Sequence, residues 1–226
     1  MMGRWIFVRA VRLSRRQACG AVGLIIGALI ATLPLRLALA GVPGIAAREA
    51  SGPAWSGTLR DLRVGPAPFG DVDAGIDPLP LLIGRTQVWL RREGTTDAVR
   101  ARLGLGGGRV RLVQLDGVVQ LPGGFGGLPV QDASFDGFDL RMDGAGCREA
   151  RGTVSLTLPA FGPGASGAPL TLTGIARCER DAAVVPLQSA GGLERLVLRI
   201  GAQGGWTASL TLPADPAHPF RAAGRF

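Results

Sequence analysis

Residues Ser51–Arg92 read SGPAWSGTLRDLRVGPAPFGDVDAGIDPLPLLIGRTQVWLRR, and the fold is decided there. Successive side chains of an extended chain point to opposite faces. In Trp55–Val64 this puts Leu62 and Val64 on one face and Arg63 on the other, the pattern of a half-buried strand. Gly65-Pro66-Ala67-Pro68 is a turn. Gly70–Asp77 alternates again, with Val72, Ala74 and Ile76 opposed to Asp71, Asp73 and Asp77. Pro78 and Pro80 carry no N–H for a ladder, so the chain must leave the sheet there. Leu79–Ile83 then suits one helical turn, and Gly84 lets the chain turn back. In the strand Arg85–Arg92, Thr86, Val88 and Leu90 face away from Gln87, Trp89 and Arg91. Leu79, Leu81 and Leu82 are expected to bury against the sheet.

The same alternation continues downstream. Strands are expected at Ala98–Leu103, Arg109–Gln114, Val118–Leu121, Ala133–Met142, Arg151–Leu158, Leu170–Cys178, Ala182–Leu187, Arg195–Ile200 and Trp206–Leu212. The glycine run at 106–108 suits a hairpin loop, and residues 123–129 and 162–168 read as longer loops. Strands every 10–15 residues with short turns predict an antiparallel meander, as one curved sheet or as a sandwich. The expected all-β domain is 55–212, with 213–226 a loose tail. Aromatics are 5% of the chain and Tyr is absent, so the core must be aliphatic. Trp55, Trp89 and Trp206 are expected as core or sheet-face anchors.

Upstream, Ala18–Leu35 is an uncharged run of the minimum length for a spanning helix, and apolar residues resume after Arg36. Five arginines precede it, which places the N-terminus in the cytoplasm and exports the remainder. The expected order is a basic cytoplasmic tail over 1–17, a transmembrane signal anchor over 18–40 and a linker over 41–54. Ala38-Leu39-Ala40 also fits a signal-peptide cleavage site, and Ser14-Arg15-Arg16 imitates a twin-arginine signal, so cleavage remains an alternative. Six of the 25 basic residues precede residue 37; the 19 that follow face 17 acidic ones. The exported part is therefore nearly neutral, which argues against a nucleic-acid partner.

Sites for chemistry are sparse. His218 is the sole imidazole and stands between alanine and proline near the C-terminus, a poor place for a general base. Asp71, Asp73 and Asp77 read as a solvated strand face instead of a cation site. Gly104–Gly108 lacks the Lys-Ser/Thr of a phosphate loop. The arginines at 91, 92, 100, 102, 109 and 111 are expected to form one charged sheet face, with an acidic partner or lipid head groups as its minor reading. Cys19 lies in the apolar run. Cys147 and Cys178 form an even pair beside two strands in an exported chain, which favours one disulfide over two buried thiols. No catalytic, metal-binding or cofactor-binding residue is expected, and no enzyme.

The block Ala54-Trp55-Ser56-Gly57-Thr58-Leu59, then Gly70-Asp71-Val72, then Asp77-Pro78-Leu79-Pro80-Leu81-Leu82-Ile83-Gly84-Arg85 resembles the N protein of the bacterial type II secretion system. The short cytoplasmic tail, single span and exported β domain agree with that pattern. The resemblance covers 51–92. It departs at Ala74, where many members carry an aromatic, and the Cys147/Cys178 pair is not a general family feature. The resemblance implies a non-enzymatic accessory part of the secretion apparatus, a periplasmic structural adaptor in the inner membrane. Its implied partners are the inner-membrane platform subunits and, further out, the outer-membrane secretin. The alternative is an AsmA-like periplasmic sheet that holds lipid or another apolar ligand along an open apolar face.

Overall fold

The computed structural model describes residues 15–39, 45–65, 67–81, 83–94, 97–106, 109–160, 168–213 and 215–225. Two helices come first, α1 (Arg15–Ala31) and α2 (Leu35–Leu39). Then follow β1 (Ile45–Ala46), β2 (Glu49–Ser51), β3 (Gly57–Val64), β4 (Ala67–Ile76), α3 (Pro78–Leu81), β5 (Thr86–Arg92), β6 (Val99–Gly106) and β7 (Arg109–Gln120). The second half is all strand: β8 (Asp132–Asp143), β9 (Gly146–Leu158), β10 (Leu170–Ile175), β11 (Arg177–Glu179), β12 (Ala182–Gln188), β13 (Arg195–Gly201), β14 (Gly205–Leu212) and β15 (Asp215–Arg225).

The strands form one antiparallel sheet of fifteen, not a sandwich of two. Its order follows the chain from β3 through β10 and from β12 through β15; β1 and β2 flank β3, and β11 joins β12. This is the expected meander. Alternation places the apolar residues on one face: Leu59 and Leu62, Val72 and Ala74, Val88 and Leu90, Val99 and Ala101, Leu172, Leu187 and Leu196 are all buried. A flat sheet this wide has no second layer to cover such a face, so it must curl. Buried residues from Leu35 to Leu210 accordingly belong to one continuous cluster. Trp206 of β14 stacks on Phe125 in the β7–β8 connection, with ring centroids 4.7 Å apart. At Gly126 a Cβ would sit 2.1 Å from that indole, so only glycine lets the two approach.

Within the expected domain, 55–212, the expected strands Arg109–Gln114 and Val118–Leu121 merge in β7, Leu170–Cys178 divides into β10 and β11, and β4 begins at Ala67 inside the expected turn; outside it, three further boundaries shift. The region 41–54 contains two short strands, β1 and β2, which pair with β3. The expected tail at 213–226 holds β15, an eleven-residue strand on β14. Its prolines are tolerated because an edge strand leaves alternate N–H groups unpaired. The third shift is in the apolar N-terminal run. A single helix over 18–40 does not form: α1 ends at Ala31, the chain breaks over Thr32–Pro34, and α2 starts at Leu35. Among the described residues no helix is long and apolar enough to cross a membrane. Pro34 explains the break locally, because it carries no N–H to continue the helix.

Candidate functional site

The break at Pro34 has a tertiary partner. The Ala54 N–H donates to the Leu33 carbonyl (2.6 Å), and the Leu35 N–H donates to the Gly52 carbonyl (3.1 Å). Pro34 and Pro53 sit opposite each other as an isolated bridge. Leu35 is fully buried, beside Gly57, where a Cβ would come within 2.8 Å of the Leu35 Cδ2. The end of the apolar run is thus part of the β-domain core. On the other side Ala54 accepts from the Ile76 N–H (2.8 Å), and the Asp77 N–H donates to Gln87 (2.8 Å). One hydrogen-bonded line therefore runs from Leu33 across the start of β3 to the end of β4 and the start of β5.

The Trp55–Arg85 motif is organised around that line. Trp55 packs half-buried against the core, Leu59 is buried on β3, and the Trp55 carbonyl lies too close to Gly75 for any Cβ. Gly70 takes a φ of 69° on β4, and Asp61, at a φ of 50°, sits where the β3–β4 register shifts. The Asp71 carboxylate accepts from the Asp61 N–H (3.0 Å) and so holds this bulge. Asp77 precedes α3, which is the expected helical turn, with Pro78 at its first position and Pro80 within it. The burial expected there is not found. Leu79 is 76% exposed, Leu81 37% and Ile83 69%, while Leu82 lies outside the described residues. The loop is tight enough to satisfy itself: Ile83 and Arg85 N–H donate to Pro80, and Gly84 N–H to Leu81. It turns back at Gly84, φ 70°, without laying its leucines on the sheet.

The expected arginine face divides. Arg91, Arg100 and Arg102 are exposed together, since Arg91 lies opposite Arg100 and Trp89 opposite Arg102. Like charges facing each other are unfavourable, and the row is compensated at both ends: Asp73 faces Arg91 and Asp116 faces Arg100. Arg91 also pairs with Glu93. It is not a net basic patch. Arg92 departs from the expectation. Its side chain turns inward and is 14% exposed. It donates to the carbonyls of Phe69, Asp97 and Val118 and meets the Asp97 carboxylate at 3.3 Å. The side chains of Arg109 and Arg111 are not among those described.

A shallow cleft of about 310 Å³ lies on this outer face, lined by Ser56, Gly57, Thr58, Asp73, Trp89, Arg91 and Glu93. Its polar groups are engaged with one another: Thr58 with Asp73, Arg91 with Glu93. No nucleophile and base converge in it. His218 lies exposed on β15, far along the sheet from this cleft. Among the described residues no three His, Cys, Asp or Glu side chains stand together as metal ligands.

Past the middle of the strand order, Cys147 of β9 and Cys178 of β11 form a disulfide, with Cα atoms 5.6 Å apart. The Cys147 N–H also donates to Asp181 in the β11–β12 turn (3.0 Å), so the bond ties two adjacent hairpins. Cys19 is a free, exposed thiol on α1. Across β8 and β9, Asp139, buried, takes an ion pair from Arg151 at 2.8 Å. The open apolar groove of the alternative reading is not what the sheet offers. Its apolar face is covered by its own curl, by Leu35 and Ala54 at one end of the strands and by Leu121, Leu128 and Val130 at the other.

These features define a class: a disulfide-tied antiparallel meander, entered directly from an apolar helix, whose conspicuous features are contacts and not reacting groups. The protein-family comparison gives the particular group. The model for type II secretion system protein N matches residues 43–223, and the chain belongs to that family. The match extends the 51–92 resemblance over nearly the whole sheet, including most of β15. No curated protein and no solved structure gives a significant match.

Proposed function

We propose that this chain is a non-enzymatic, inner-membrane component of the type II secretion apparatus. Its apolar helix stays attached, and its β domain acts in the periplasm as a structural adaptor for the platform subunits, reaching toward the secretin. The observation that carries this reading is Leu35. Cleavage after Ala40 would remove a fully buried core residue and both backbone bonds made by 33–35. Full burial of one leucine contributes about 1.5–3 kcal/mol, so retention of the segment favours the folded domain. The described helix α1 has seventeen residues, a rise of about 26 Å. That is a few Å less than a hydrocarbon core of about 30 Å. The helix opens on Arg15, Arg16 and Gln17, so its apolar part, 18–31, rises about 21 Å, and thinning of the bilayer around it accommodates the mismatch. Val22, Leu24 and Leu29 of α1 are exposed, as lipid-facing residues are.

Two experiments test the proposal. A tagged full-length chain should co-purify the platform subunits from membranes, and a reporter fused after Phe226 should be active only in the periplasm. Recovery of a mature chain that begins at Gly41 overturns the retained anchor. Failure to capture any platform subunit overturns the adaptor role.

A further inference from the structure

The apolar loop at α3 leaves the sheet at the same end as the N-terminal helix. The line of hydrogen bonds from Leu33 through Ala54 to Ile76 crosses two strand spacings, about 10 Å, before the chain enters Pro78. Leu33, inside the break between α1 and α2, is itself 39% exposed. At the same end of the sheet stand Leu79, Leu81 and Ile83, three large apolar side chains turned to the outside of a short loop. A lone exposed leucine is ordinary, but these three share one short loop at the sheet end where the apolar helix leaves. Pro78 and Pro80 have no N–H, and the N–H groups of Ile83, Gly84 and Arg85 are bonded inside the loop. Among the described residues of the tip at most the Leu79 and Leu81 N–H groups make no backbone bond, which limits the cost of entering an apolar medium. Arg85 and Arg36 are exposed on the flanks, and neither has an ion pair among the described residues. Asp77 is the sole acidic residue between Asp73 and Glu93.

We infer that the exposed side chains of Leu79, Leu81 and Ile83 make a second membrane contact: they enter the outer leaflet of the bilayer that α1 crosses, with Arg85 and Arg36 at the phosphate level. The occupant is lipid, and the inference rests on the membrane reading of α1. Two points of attachment fix the orientation of the sheet, which a single helix does not. The β3–β4 end nearest Arg63 then points away from the membrane.

The test uses the full chain, with Cys19→Ser, in vesicles of phosphatidylethanolamine and phosphatidylglycerol. Single spin labels are placed through Leu24→Cys, Leu79→Cys, Ile83→Cys and Arg63→Cys, all exposed positions that leave the core intact. Collision with oxygen, which partitions into lipid, is compared with collision with a water-soluble nickel chelate. Labels at 24, 79 and 83 should favour oxygen, and the label at 63 should favour the chelate. If 24 reports lipid while 79 and 83 behave like 63, the loop contact is wrong and the anchor stands. If 24 also reports water, the anchor reading fails and takes the loop contact with it.

Discussion

Truncating Leu35 separates a side chain that belongs to the domain from one that merely follows a membrane helix. Leu35 is fully buried, and its neighbour two residues on, Leu37, is 61% exposed. Leu35→Ala removes atoms packed over Gly57 and leaves a cavity beside backbone that cannot move in, because Gly57 already lies against the Ser51 carbonyl. Buried Leu→Ala changes cost about 2–5 kcal/mol, and limited collapse puts this one near the middle, about 3. A domain of this size loses about 2–4 °C per kcal/mol, so the midpoint should fall by roughly 6–12 °C. Leu37→Ala should stay within about 0.5 kcal/mol of the parent. The measurement is thermal unfolding of the full chain in detergent, followed by tryptophan fluorescence. Equal midpoints for the two variants would refute the claim that 33–35 is integral to the core.

Cys147→Ser should lower stability by about 2–5 kcal/mol, and reductant should do the same to the parent; a variant as stable as the oxidised parent contradicts this. Gly152→Ala should cost about 2 kcal/mol or more, because φ is +99° and a Cβ would meet Phe138 Cα and the Gly137 carbonyl at 2.5 Å. Gly144→Ala, with nothing within 4 Å, should be near neutral in the same denaturant titration. Arg92→Gln should lose about 2 kcal/mol through its charge-assisted bonds to three carbonyls. Arg100→Gln on the outer face should lose almost none, and an equal loss would mean Arg92 is not the interior clamp.

What the sequence made legible was local. Alternation at Val72, Ala74 and Ile76, and at Val88 and Leu90, assigned the correct inner face, because one strand carries that pattern by itself. The proline pair marked α3, and the cysteine pair at 147 and 178 marked its bond. What stayed hidden depends on distant partners. Hydropathy treats Leu35 like its neighbours in the apolar run; its burial comes from Gly57 and residues 52–54. Pro34 inside that run was the available sign of a break. Leu79 and Leu81 are as apolar as core residues, and only the closed loop shows them to be outside. Arg92 has the same charge as Arg91, but the period of two turns it inward among carbonyls. For β15, prolines at 216 and 219 suggested a tail, and an edge position made them tolerable.

The strand order has a bearing on how such a sheet is made. From β3 onward almost every strand lies beside the one that left the ribosome just before it. A chain made N-terminus first never has to hold an unpaired strand in reserve for a partner not yet synthesised. Pairings close over short loops, which is the regime of quick assembly, and the growing edge is always the newest strand. The late event is the meeting of Trp206 with Phe125, eighty residues apart in the chain. Curling of the sheet thus comes after zipping, when β14 reaches back to a loop that has been waiting since β7.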